Sequence, residues 1–496
     1  MSQLLRTKDI DKLIADSEAP DRRLQKTLGP WSLTALGIGA VIGSGIFILT
    51  GTAAAGETMS YRSILNAPVL DLIRTGGHTL STIGRPGAGP GISISFLLTA
   101  IVCSFAALCY AELASMIPIA GSAYTYAYAT LGEIIAWIIG WDLILEYAVS
   151  NMAVAVGFSA YFNAFLESMF GIHLPAKLCG PIISEGRLTG NWFNLPALIL
   201  LMILTYILVR GVRESAETNN VMVMIKICAI LAFVIGAARA VNVENWHPFL
   251  PNGFSGVLTG GAIVFFTYIG FDSVSTAAEE CKNPQRDLPF GIIMSLVVCT
   301  ILYISVALVL TGIANWHTLN SAAPVDDALR RLGFDGIRRW VVAGALVGML
   351  SSLLVFQYGQ ARVWFAMSRD GLLPRAFSKV HPVHRTPHIS TWIAGLVVGI
   401  PAGIWDIGAF ADLANIGTMF AFIVVSFGVL VLRRSQPERK RGFRMPFVPY
   451  LPVLSVLACL TLMLSLPLMT WTAFFVWLII GLVIYNTYSK RNSKLA

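Results

Sequence analysis

The stretch AVIGSGIFILTG, residues 40–51, lies inside the first long apolar segment of the chain and carries three glycines, two of them flanking Ser44. A glycine costs a helix interior roughly 1 kcal/mol relative to alanine. Gly43 and Gly45 therefore mark one of two things. Either two helices approach closely there, as small residues allow between membrane helices, or the helix is interrupted.

The surroundings of that stretch are those of a membrane protein. Of 496 residues, 56% are hydrophobic and 12% charged, whereas soluble domains carry about 25% charged residues. Residues 1–30 are rich in charge and hold no apolar run that could form the core of a signal peptide, so they read as a cytosolic tail. The seven cysteines show no CxxC and no metal spacing, and neither a disulfide framework nor a metal site is expected. The net charge of +8 bears on topology in such a chain rather than on nucleic acid.

About 20 apolar residues in helix cross a bilayer core of about 30 Å. Twelve stretches qualify, at 31–53, 92–116, 132–163, 193–211, 218–240, 255–277, 290–312, 338–367, 389–405, 408–432, 447–467 and 470–487. They are called spans 1 to 12. With both termini in the cytosol, most of the 35 basic residues fall on the inner side, as the positive-inside rule requires. The expected organisation is an all-α transmembrane domain over 31–488, an extracellular insertion over 56–90 with a short surface helix and a glycine-proline turn, and a cytosolic tail over 489–496.

In hydrocarbon every backbone amide must be paired, so an unwound stretch is tolerated only against protein or a watery cavity. Span 6 carries Gly270 close to the acidic Asp272. It opens spans 6–10 as span 1 opens spans 1–5. Glycine-interrupted segments at corresponding positions of two halves point to a transporter binding site near the bilayer midplane. Close packing of small residues is the alternative for each cluster taken alone.

Five segments carry a family resemblance: GIGAVIGSGIF in span 1, CYAELASMIPIAGSAYTYAYATLGE after span 2, WIIGWDLILEY in span 3, FFTYIGFDSVSTAAEE in span 6 and AMSRDGLLP after span 8. Together they resemble the amino acid-polyamine-organocation transporters, most of all a bacterial type of their cationic amino acid transporter branch, from about Leu28 to the end. The resemblance implies two inverted five-helix repeats, over 31–240 and 255–432, followed by two helices over 447–487. Helices 1 and 6 are then discontinuous, and the fold works by alternating access. The long 56–90 connection departs from the compact loop of that pattern.

A zwitterionic α-amino acid needs donors for its carboxylate and acceptors for its ammonium. The amides of Ser44, Gly45 and Ile46 open the second half of span 1 at a positive dipole end that suits an anion, and Gly43 and Gly45 let it approach the backbone. The carbonyls of Val41 and Ile42 suit the ammonium. Those of Phe266, Thr267 and Ile269 in span 6 add to them, as the resemblance implies. Phe266 then resembles an aromatic lid, although an aromatic side chain in an apolar span commonly only packs.

The carboxylate candidates for a substrate side chain are Asp142 and Glu146, four apart on one face of span 3, and Asp272 in span 6. They could meet a cationic substrate side chain, or hold helix breaks together. The substrate class is α-amino acids, cationic or small neutral.

Lys226 is the only lysine inside an apolar span, and an ionisable residue there is a functional candidate. It is close enough to the span end to snorkel instead. In proton-coupled relatives a lysine of span 5 sits beside the span 1 break, so the resemblance assigns Lys226 the coupling proton. The rival ion is sodium, held by the adjacent Ser351 and Ser352 of span 8 with span 1 carbonyls; a serine pair can also simply pack helices.

The expected activity is therefore proton-coupled amino acid symport in the plasma membrane, with no cofactor and no catalytic residue. An exchanger, a sodium symporter or a non-transporting sensor would share the same pocket. Nothing resembles a channel filter, and HExxH, GxSxG and P-loop motifs are missing from the sequence. The segment HPVHRTPH, 381–388, reads as a turn-rich loop, with metal binding the alternative. The basic RRSQPERKRGFRMP, 433–446, orients its flanking helices and is placed to meet anionic headgroups.

Overall fold

A computed structural model describes residues 6–11, 14, 26–58, 64–76, 84–119, 121–184, 187–210, 216–382 and 386–494.

 His78, His384 and most of the 1–30 tail lie outside the described residues.

The chain is mostly helical. Among the described residues, eight helices are long and apolar enough to cross a membrane, and a bent pair over span 1 passes the same test. Three shorter apolar helices, Leu195–Arg210, His388–Ala402 and Tyr450–Leu464, fall on spans 4, 9 and 11. The helices over spans 3 and 6, Glu133–Phe170 and Gly253–Glu280, are largely buried, whereas the one over span 12 is largely exposed. Span 3 packs against spans 8 and 10, and span 1 against spans 5 and 7, so the interrupted span sits among continuous helices.

Span 1 is two helices, Pro30–Val41 and Ser44–Ala55, bent by 48°. Pro30 starts the first with a preset φ. The bend falls at Ile42 and Gly43, whose backbones are extended rather than helical. Span 6 is an α-helix, Gly253–Val264, then a 3₁₀ turn, Phe265–Tyr268, then a 3₁₀ helix, Phe271–Glu280. Gly270 lies between the last two at φ +118°, a left-handed conformation that glycine adopts without steric cost.

The 56–90 connection contains the expected short helix, Val69–Thr75. It also contains strand pairing that local sequence did not announce. Gly56–Thr58 runs antiparallel to Gly84–Pro86, so a two-stranded pairing continues directly from the Ser44–Ala55 half of span 1. Its Arg85 is buried, with Asp412 of span 10 hydrogen-bonded to it and Glu57 3.5 Å away.

At the opposite end, Glu112 of span 2 is buried and accepts hydrogen bonds from Arg433, Arg441 and the Met445 amide. Two of the six basic residues of segment 433–446 thus serve an internal ion-pair cluster. Lys8 of the N-terminal segment pairs with Asp370 at 2.8 Å, and the Tyr124 hydroxyl donates to the same carboxylate.

Candidate substrate and ion site

The two interruptions lie against each other, and glycine makes that approach possible. A Cβ on Gly45 would stand 2.7 Å from Thr267 Cγ2 and 3.1 Å from Thr267 Cα. A Cβ on Gly270 would stand 3.0 Å from the carbonyl carbon of Ala40. The two readings of the span 1 glycines, close packing and a helix break, are therefore both met. The first-turn amides of the Ser44–Ala55 helix are those of Ser44, Gly45 and Ile46, all buried, beside the Phe265–Tyr268 turn.

Lys226 is fully buried and does not snorkel. Its ammonium donates to the Gly39 carbonyl at 2.7 Å and the Ile42 carbonyl at 3.0 Å. These are acceptors at the end of the first half-helix, which the bend deprives of their helical donors. The Ser352 hydroxyl reaches the same group, 3.1 Å from Gly39 O and 3.1 Å from Ile42 O. Ser351 turns instead to Asn219 Oδ1 at 3.5 Å, so the two serines have different hydrogen-bond partners. The Ile42 carbonyl, expected to face a substrate ammonium, is already engaged by Lys226 and Ser352. That Lys226 meets span 1 carbonyls accords with its expected place beside the break; which carbonyls it takes depends on how spans 5 and 8 pack, which neighbours on the chain do not reveal.

Phe266 and Thr267 are buried in the turn, and Ile269 follows it with extended backbone. The Phe266 carbonyl accepts the Ile269 amide at 3.2 Å. The Thr267 hydroxyl donates back to Val264 O at 2.6 Å, a local bond that steadies the turn.

The three carboxylates divide. Asp272 lies against the backbone amides of Gly270 and Ser273, and the Ser122 hydroxyl donates to it at 3.4 Å. Asp272 stands in the first turn of the second half of span 6, where a negative charge suits the helix dipole. Asp142 and Glu146 are buried, and neither completes a hydrogen bond among the described residues. Asp142 stands close to Gly417 of span 10. Glu146 faces Thr418 and lies within electrostatic reach of Asp142 and Asp272. Buried polar groups without partners are costly, and within a span they mark functional positions.

Tyr303 of span 7 was not singled out by its sequence context. Its buried hydroxyl lies 3.0 Å from Val41 O and 2.8 Å from Thr267 O, one carbonyl from each interruption. A tyrosine in an apolar helix gives no local signal of such a position. No group of three or more His, Cys, Asp or Glu side chains suited to a metal occurs among the described residues.

The comparisons agree with this architecture. An amino acid permease family profile matches residues 28–485. The chain is 46% identical over 495 residues to the methylthioribose transporter of Bacillus subtilis (strain 168), with 100% of each chain covered. It is also 46% identical over 495 residues to the branched-chain amino acid permease BcaP of that organism, with 99% of each covered. To cationic amino acid transporter 9, chloroplastic, of Arabidopsis thaliana it is 39% identical over 423 residues, 84% of this chain and 68% of the relative. The chain therefore belongs to the amino acid permease family, within the amino acid-polyamine-organocation superfamily, as a multi-pass membrane transporter and not an enzyme.

Proposed function

We propose that the protein is a proton-coupled symporter of α-amino acids that works by alternating access in the plasma membrane, with both termini cytosolic. Its twelve spans form two inverted five-helix repeats, 31–240 and 255–432, and two further helices. The substrate carboxylate is held by the Ser44, Gly45 and Ile46 amides, and its ammonium by carbonyls of Val41, Thr267 and Ile269. Phe266 covers it. Asp142 and Glu146 border the side-chain end, and an apolar branched substrate is the first to test, given the name of the branched-chain amino acid permease BcaP relative.

The observation that carries the coupling reading is the Lys226 ammonium on the Gly39 and Ile42 carbonyls. Charged, it supplies the two donors that hold the first half of span 1 at its bend. Neutral, it offers a weaker hold, because hydrogen bonds from a charged donor are roughly twice as strong as neutral ones. Loss of the proton to one side thus loosens the segment on which the substrate rests. Sodium would need the same carbonyls, where the Lys226 ammonium already stands.

Leucine uptake into proteoliposomes tests the proposal. Uptake is expected to follow an inward proton gradient and to ignore sodium. Sodium-dependent uptake, or uptake only into vesicles preloaded with amino acid, would replace it with the sodium-symport or exchange reading.

A further inference from the structure

From the contacts of its hydroxyl we infer that Tyr303 joins the two interrupted helices into one ammonium-selective site, as a positioning residue that also supplies an acceptor. This deepens the amino acid transport reading and rests on it.

The argument is a count of protons. The Tyr303 oxygen lies 3.0 Å from Val41 O and 2.8 Å from Thr267 O, both within hydrogen-bond range. Both carbonyls are acceptors only, and the phenol has one proton. Three oxygen atoms therefore share a single donor. The Gly43 amide also reaches Val41 O, at 3.0 Å, but it belongs to the bend itself and contributes nothing between the two spans. A ligand group that completes the cluster must bring several protons and tolerate acceptors on more than one side. A primary ammonium has three donors and no acceptor, and a carboxylate or an ether has none to give.

The tyrosine is well fixed for this. Its ring packs at 5.5 Å from that of Phe96 and 5.2 Å from that of Tyr268. The Tyr268 hydroxyl in turn donates to Phe96 O. Span 7 is a continuous helix, Pro284–Ile313, so Tyr303 references both unwound segments to one rigid element. The hydrogen bonds of the Tyr303 hydroxyl go to the Val41 and Thr267 carbonyls and not to the Ser44–Ile46 amides of the proposed carboxylate side. Ammonium and carboxylate recognition are thereby separable.

Binding to the purified full-length protein tests the inference, with leucine and its des-amino analogue 4-methylpentanoate as probes. In the wild type leucine is expected to bind far more tightly than the analogue. Tyr303→Phe is expected to weaken leucine by at least about tenfold, the scale of a hydrogen bond to a charged group, and to leave 4-methylpentanoate unchanged. The ratio of the two affinities then collapses, which a general packing defect would not cause. Unchanged leucine binding, or equal losses for both probes, would overturn the inference. Should Tyr303→Phe not fold, the same ratio is read on Tyr303→His, which keeps a ring donor; a ratio equal to that of the wild type supports the inference only if Tyr303→Leu lowers it, and otherwise overturns it. A wild type that binds no amino acid at all would instead refute the transport reading.

Discussion

The α-carbon of Gly45 in span 1 rests on Thr267 of span 6, so close that a methyl group on Gly45 would come within 2.7 Å of Thr267 Cγ2. The two interrupted helices meet there through backbone, and the contact leaves no room for a side chain. Gly45→Ala is expected to lower the stability of the detergent-solubilised protein by about 1–3 kcal/mol, the usual range for overpacking a core. Because the Gly45 amide belongs to the proposed carboxylate cradle, ligand-induced stabilisation is expected to shrink as well. Thermal unfolding with and without leucine checks both; an unchanged midpoint and an unchanged ligand shift would return the glycine to a passive role.

Lys226→Ala removes the donor shared by Gly39 O and Ile42 O. Counterflow exchange of amino acid is expected to survive at a reduced rate, while accumulation driven by a proton gradient disappears. Uphill uptake by the variant, measured in proteoliposomes, would show that the coupling proton is carried elsewhere.

Arg85 and Asp412 form a buried pair between the Gly84–Pro86 strand and span 10, with side chains 3% and 13% exposed. Removing one partner strands the other charge, which in buried pairs costs about 3–5 kcal/mol. Arg85→Gln and Asp412→Asn are each expected to lower the unfolding midpoint, and the double variant by less than the sum. Additive losses would mean that the two side chains act independently.

Glu112 answers two arginines and a backbone amide at the other end of the protein. Glu112→Gln keeps the shape but loses the charge that Arg433 and Arg441 share. It is expected to destabilise more than Arg439→Gln, whose partner Asp11 is 79% exposed, since exposed pairs contribute about 0–1 kcal/mol. Comparative thermal unfolding of the two variants decides.

Some of the site could be read from local sequence and some could not. Lys226 was visible because a lysine within apolar residues is rare, and Gly43, Gly45 and Gly270 because each weakens a helix where it stands. Ser351 and Ser352 could not be told apart, since adjacent residues on a helix point about 100° from each other and only the neighbouring helices say which one meets a carbonyl. Tyr303 was hidden for the same reason: its partners, Val41 and Thr267, belong to two other spans.

The sequence by itself determined that this is a multi-pass membrane chain, where its first helix breaks, and to which family it belongs. The first two follow from composition, hydrophobic run length and backbone preference, and the third from the resemblance of five motif segments, all of which are local to short stretches of chain. Only the tertiary structure decided that Lys226 and Ser352 take the Ile42 carbonyl, that Ser122 reaches Asp272, that Arg85 reaches Asp412 and that Tyr303 lies between the two breaks. A hydrogen bond is made or lost within a few tenths of an ångström, and that separation is set by how distant segments pack.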